Sequence, residues 1–97
     1  MIEFEWDPEK AKANLLNHRL GFAEAATVFR DPLAVTVFDP DHSDSEDRFL
    51  TIGLSDRDRA VIVAHTDRGE RIRIVSAREL TRGERKDYEK EIERRSK

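Results

Sequence analysis

Residues 60–66 read AVIVAHT, a nearly continuous apolar run rich in β-branched side chains. A segment apolar on both sides must be covered on both, so this run predicts a strand in the middle of a sheet. Its neighbours follow from the same reading. LAVTVFD (33–39) is β-branched, and RFLTIGL (48–54) is another strand-like run. RIRIVSAR (71–78) alternates isoleucine with arginine before the pattern turns polar. SDRDR turns the chain before Ala60, and Asp67-Arg68-Gly69-Glu70 is short enough to make a hairpin with the strand from Arg71. IEFEW (2–6) adds a short alternating strand at the N-terminus.

Helices are marked by their ends. Asp7-Pro8 supplies an N-cap followed by proline at the first helical position. That helix runs through EKAKANLLNHRL, with Gly21 expected at the left-handed position beyond it. Phe22, Ala25, Ala26 and Phe29 share one side of a second short helix, which Asp31-Pro32 ends. Thr81 and Glu84 form a capping box, starting a last helix that reaches about Arg94 and offers only Tyr88 and Ile92 as an apolar pair. Helices and strands that segregate in this order predict an α+β fold. The sheet is mainly antiparallel with four to five strands, two helices precede it, and one helix follows, in a single domain over residues 1–97.

Several functions drop out. With 37% hydrophobic and 40% charged residues the core is small and the surface ionic. No stretch is long and apolar enough to span a membrane, and MIEFEWDPEK lacks the regions of a signal peptide, so a cytoplasmic location is expected. There is no cysteine, and the glycines at 21, 53, 69 and 83 are isolated, which removes thiolate chemistry and a phosphate loop. His18, His42 and His65 have no metal-ligand spacing. The loop from Asp39 alternates oxygen-bearing residues like a calcium loop, but lacks the central glycine and has Leu50 where the final glutamate belongs. No metal or cofactor is expected.

Charge is distributed unevenly. Residues 1–47 hold four basic and eleven acidic side chains, a balance of −7, and residues 48–97 hold fourteen and ten, a balance of +4. Arginine dominates the second half, and its fork suits phosphate oxygens. Strict alternation puts Ser76 and Arg78 on the side of Ile72 and Ile74, and Arg73 on the other with Arg71. Arg73 and Arg78 then share a surface only if the strand bulges between them. Arg78 either opens into a cleft or is spent on an ion pair with Glu84 or Glu46. His65, in phase with Val61 and Val63, reads as a core histidine as readily as a functional one. Phe4 and Trp6 read as core. The acid, base and cation candidates are Glu46, Arg48, His65, Arg73, Arg78, Lys10, His18 and Tyr88. Such a set suits metal-free RNA cleavage, which needs a base, an acid and cations around phosphorus.

The residues also form a recognisable pattern. Phe4, Trp6, Asp7 and Lys10 begin it, followed by Asn14, His18 and Gly21-Phe22-x-Glu24-Ala25-x-x-Val28-Phe29-x-Asp31-Pro32. It continues through Asp41-His42-Ser43, Glu46-x-Arg48, Thr51-Ile52-Gly53, Arg73 to Arg78 and Glu84-x-x-x-Tyr88. Over about residues 4–88 the chain resembles the BrnT family of bacterial type II toxins. The resemblance implies a RelE-like fold and a metal-independent ribonuclease that inhibits translation and growth. It also implies a BrnA-like DNA-binding antitoxin that neutralises the toxin, with which it could form a heterotetramer that reaches operator DNA. By the same resemblance Lys10, Glu46, Arg48, Arg73 and Arg78 are the catalytic candidates, with His18, His65 and Tyr88 as substrate-binding ones. The alternative is a non-catalytic module whose arginine face docks RNA or an acidic protein.

Overall fold

The computed structural model describes residues 2–95. Its elements are β1 (Glu3–Glu5), α1 (Pro8–His18), α2 (Phe22–Thr27), a 3-10 turn (Val28–Arg30), β2 (Val35–Phe38), a second 3-10 turn (Pro40–His42), β3 (Arg48–Leu54), β4 (Ala60–Arg68), β5 (Arg71–Glu79) and α3 (Arg82–Arg95). The strands form one sheet in the order β1-β5-β4-β3-β2, which places β4, the AVIVAHT strand, at the centre. Strands β2 to β5 pair antiparallel in sequence, and β1 joins the far edge parallel to β5. The expected α+β architecture is the one adopted, with a mixed sheet of five strands.

Helices α1 and α2 cover one face of this sheet. The core there joins Leu20, Phe22, Ala25 and Val28 to Val61, Val63, Ile74 and Ala77, with Phe4, Trp6, Ala11, Ala26 and Phe29 around it. Two polar clamps hold the connections. Arg59 grips Glu24 with two hydrogen bonds (2.9 and 2.6 Å), tying α2 to the turn before β4. Asp31 accepts from the backbone N–H groups of Leu33 (2.9 Å) and Leu54 (2.8 Å), fixing the entry to β2 against the end of β3. Gly53 is needed for this approach, because a Cβ there would stand 3.0 Å from both Ala34 Cβ and Asp31 Oδ2.

The edge of β5 is the less usual problem. Among the described residues β1 pairs only with Arg71 to Arg73, and no strand lies beside the backbone beyond. Asn14 of α1 supplies the partner: its Nδ2 donates to Ala77 O (2.8 Å) and Leu20 O (2.9 Å), and its Oδ1 accepts from Ala77 N–H (3.0 Å). A side-chain amide carries the same donor and acceptor as a peptide unit, so one residue stands in for a strand.

Two expectations are corrected here. Helix α1 ends at His18, and Arg19, not Gly21, takes the left-handed position at φ 53°, with its N–H on Leu15 O. Gly21 instead begins α2 at φ −82°. The early end lets Leu20 bury completely and puts its carbonyl on Asn14. The second correction concerns β5. His65 pairs with Ile74, but Ala64 pairs with Ser76, so Val75 is an extra residue and the strand bulges there. Alternation resets: Ile74 and Ala77 face the helices, whereas Ser76 and Arg78 turn to the opposite face across from Ala64 and Ile62. Arg73, paired with Thr66, is on that opposite face too. Arg78 therefore leaves the side of Ile72 and Ile74, and it shares a surface with Arg73 after all.

Asn14→Ala should strip buried partners from both backbone groups of Ala77 and from Leu20 O. Each unsatisfied group costs about 1–3 kcal/mol, so the loss should be on the order of 3 kcal/mol after partial rehydration. Asn14→Asp should be at least as damaging, since a carboxylate would face two carbonyl oxygens. Urea titration followed by circular dichroism measures both, and a loss under 1 kcal/mol for both would show that β5 needs no partner at Ala77.

Candidate active site

The face of the sheet opposite α1 and α2 carries a cleft of about 390 Å³ lined by His18, Asp39, His42, Arg48, Leu50, Ile62, Ala64, Ser76, Ala77 and Arg78. Its floor is apolar, from Leu50 of β3 and Ile62 and Ala64 of β4. Ionisable groups stand on its walls, each set by a different element.

Asp39 and His42 form one wall. Asp39 precedes and His42 ends a 3-10 turn that Pro40 begins, and in such a turn residues three apart eclipse one another. The His42 ring thereby reaches Asp39, with Nδ1 2.9 Å from Oδ2. The Asp39 side chain is only 12% exposed and the His42 ring 63%, so the carboxylate is anchored while the ring faces solvent. Ser43 braces the turn, donating to Asp39 O (2.6 Å) and accepting from Arg48 N–H (2.9 Å). His18 comes from the other side. It lies one helical turn beyond Asn14 on the same side of α1, so docking Asn14 onto Ala77 carries His18 to the cleft.

The two arginines differ. Arg78 reaches the cleft because of the bulge, but its guanidinium is held by Glu84 of α3 with two hydrogen bonds (2.7 and 3.0 Å). That carboxyl also accepts from Thr81 N–H (2.8 Å) in the capping box, and Arg78 with this backbone bond pulls its pKa down to about 2. Arg48 has no carboxylate partner among the described residues, and its Nε is buried with no hydrogen bond. Thr66, its cross-strand neighbour, also has a buried hydroxyl without a partner.

The remaining sequence candidates lie elsewhere. Glu46 does not line the cleft; it pairs with Arg68 (3.2 Å) beside the β4–β5 hairpin, and Arg48 is not its partner. Arg73 is on the open face but bonded to Glu5 (2.7 Å), and Arg71 to Glu3 (3.3 Å). Lys10 is exposed in the first turn of α1, two turns from His18. Tyr88 packs from α3 against Asp31 (3.4 Å), where burial and that carboxylate push its hydroxyl pKa up. His65 belongs to the core: it is 4% exposed, bonded to Thr51 Oγ1 (2.7 Å), and set between Phe29 and Phe49. The cleft thus unites His18, Arg48 and Arg78, and adds His42 and Asp39, which the sequence reading left in a loop. The available signal was the Asp-Pro-x-His spacing, which a 3-10 turn converts into a contact.

A family model described as "Ribonuclease toxin, BrnT, of type II toxin-antitoxin system" matches residues 6–84. No curated protein matches the sequence significantly. Among solved structures, the crystal structure of the Brucella abortus ribonuclease toxin BrnT is similar, with a TM-score of 0.62 and 20% identity over 84% of this chain and all of that one. At that identity the likeness is one of fold.

Burial lowers the His65 pKa from its ordinary 6.5, so the folded chain takes up this proton less readily than the unfolded one. The sign follows: stability from the neutral ring is fully present above about pH 6.5 and declines as pH falls toward the lowered folded value. Melting between about pH 7.5 and 5 should show this decline, and His65→Gln, which keeps a partner for Thr51 but does not titrate, should flatten it. An unchanged slope in His65→Gln would assign the pH dependence to other groups.

Proposed function

The chain belongs to the BrnT family of ribonuclease toxins of type II toxin–antitoxin systems, and from that premise we propose that it cleaves RNA in the open-face cleft without a metal ion. The observation that carries this reading is the His42–Asp39 pair in one cleft with His18, Arg48 and Arg78. With Nδ1 on Asp39, His42 keeps Nε2 as its free nitrogen, and the carboxylate steadies the cation formed when that nitrogen takes a proton. His42 is then the base that removes the ribose 2′-hydroxyl proton. The 2′-oxygen bonds to phosphorus, the bond from phosphorus to the 5′-oxygen breaks, and His18 protonates the departing oxygen. Arg48 and Arg78 offset the charge that gathers on the phosphoryl oxygens. The products are a 2′,3′-cyclic phosphate and a 5′-hydroxyl end.

The cations of the chain that face the cleft, Arg48 and Arg78, support a reaction that needs no metal ion. Arg48 is the cation open to substrate from the start. Arg78 must exchange Glu84 for a phosphate, and because both partners are about 40% exposed the exchange is cheap, exposed pairs being worth about 0–1 kcal/mol. The proposed biology is that of the family: free toxin arrests translation and growth by cutting RNA, and a cognate DNA-binding antitoxin covers it.

Cleavage of a short RNA by the purified chain tests the chemistry. It should persist in EDTA, yield a 2′,3′-cyclic phosphate, and fail on a substrate with a 2′-deoxy sugar at the scissile position. His42→Ala and His18→Ala should each lower the rate by about 10²–10⁴, and Arg48→Ala or Arg78→Ala by about 10²–10³, with the fold intact by calorimetry. Arg71→Ala, whose side chain sits by Glu3 and Glu5, should cut normally. Full activity in both histidine variants would remove the cleft as the catalytic centre. Tight RNA binding with no cleavage would leave a non-catalytic module.

A further inference from the structure

On the open face the cross-strand pairs set side chains in rows that run across the sheet. Leu50, Ala64 and Ser76 make one row, and it belongs to the cleft. The next row toward the β4–β5 hairpin is Arg48 on β3, Thr66 on β4 and Arg73 on β5, closed by Glu5 on β1. Neighbouring strands stand about 4.8 Å apart, so the two arginines rise about 10 Å from each other with the threonine between them. Of this row only Arg48 lines the cleft.

The middle of the row is unfinished as a hydrogen-bonded surface. Thr66 is 2% exposed, and its hydroxyl bonds nothing among the described residues. Arg48 Nε, beside it, is buried and unbonded too, and the two do not bond each other. A buried polar group without a partner weakens a fold, and valine would fill the same place in a strand without that cost. The chemistry of the donors says what would complete them. An arginine Nε only donates, so its partner is an acceptor, and a threonine hydroxyl can donate to that same acceptor. With a guanidinium on either side, the acceptor that fits is an anion with several oxygens.

We infer that this row is a second phosphate subsite, which takes the phosphate next to the one that is cut. The inference rests on the cleft being an RNA-cleaving centre. Thr66 lies two residues from Ala64 along β4, about 7 Å, a step that one nucleotide of an extended strand spans. Arg73 closes on the phosphate from the β5 side and leaves Glu5, to which it gives a hydrogen bond of 2.7 Å. Both side chains of that pair are partly exposed (34% and 27%), so a solvated phosphate can compete for the guanidinium. In moving, Arg73 opens a way to the Thr66 hydroxyl. Arg48 then spans two phosphates, with Nε toward the second and its terminal nitrogens toward the scissile one. Contacts of this kind follow the backbone and read no base. The substrate is an RNA strand that continues past the cut on one defined side.

Short oligonucleotides with a single ribose, every other sugar being 2′-deoxy, fix the scissile linkage. The dinucleotide has that linkage alone, and two trinucleotides add a second phosphate on its 5′ or its 3′ side. One trinucleotide, and not the other, should be cut with a kcat/KM about tenfold above the dinucleotide. Arg73→Ala and Thr66→Val should each remove that gain and leave the dinucleotide rate unchanged, whereas Arg71→Ala, one row further on, should keep it. Thr66→Val should melt no lower than the parent, since the hydroxyl it deletes has no partner to lose. All-deoxy versions of the three, titrated by calorimetry, should differ about tenfold in affinity in the same order, and they read the subsite whether or not the cleft cuts. Equal affinities, a gain from both flanks alike, or a gain that survives Arg73→Ala and Thr66→Val would overturn the subsite. A Thr66→Val chain that melts lower would make the hydroxyl a structural group and overturn it too. Cleavage of none of the three, with the affinity difference intact, would overturn the reading of the cleft and leave the phosphate subsite standing.

Discussion

A strand edge inside a folded domain must be paired, covered or hydrated, and in this chain one amide meets that demand. Asn14 gives Ala77 the donor and acceptor that a neighbouring strand would have given it. Much of the molecule is arranged by that contact. Because β5 needs no longer partner, β1 can stop at Glu5 and let the chain turn into α1 at Asp7, whose side chain caps Glu9 N–H (2.8 Å). Because Asn14 is fixed, α1 runs along the β5 edge and delivers His18 one turn later to the cleft. A packing solution on one side of the sheet thereby positions an imidazole on the other.

How much of this could be read from residues alone depended on the range of the interaction. The central position of β4, the capping box of Thr81 and Glu84, and the proline start of α1 are local, and each was legible from a few adjacent letters. The partner of Ala77 lies 63 residues away in sequence, and nothing in the helix marks Asn14 as an edge cover. The bulge was invisible for another reason. Val75 is as good a strand residue as its neighbours, so composition gives no hint that it is the one left unpaired. The Asp39–His42 contact was missed because a polar stretch between strands was read as connecting loop, without asking what geometry its proline imposes.

The arginine-rich second half also needs a physical correction. Arginines in the sequence are not the same as cations available to a ligand. Arg71 and Arg73 are taken by Glu3 and Glu5 of β1, Arg59 by Glu24, and Arg78 by Glu84. Glu3, Glu5 and Glu24 come from the acidic N-terminal half, so part of that half is folded against the basic one. What distinguishes Arg48 is a buried, unbonded Nε together with the absence of such a partner among the described residues. The loop that precedes it is acidic, yet Asp39 is occupied by His42 and Glu46 by Arg68.

The bulge at Val75 has a consequence for how the protein can change over generations. The side of the sheet on which Arg78 stands is determined by its pairing with Ile62, the extra residue of β5 being taken up at Val75. Substitutions can weaken the cleft gradually, but none of them moves Arg78 to the other face. Removing Val75 itself would not move it either, because the pairs His65–Ile74 and Ala64–Ser76 would become consecutive and Arg78 would still stand across from Ile62. Descent along this strand should therefore tolerate many spellings and even the loss of the bulged residue.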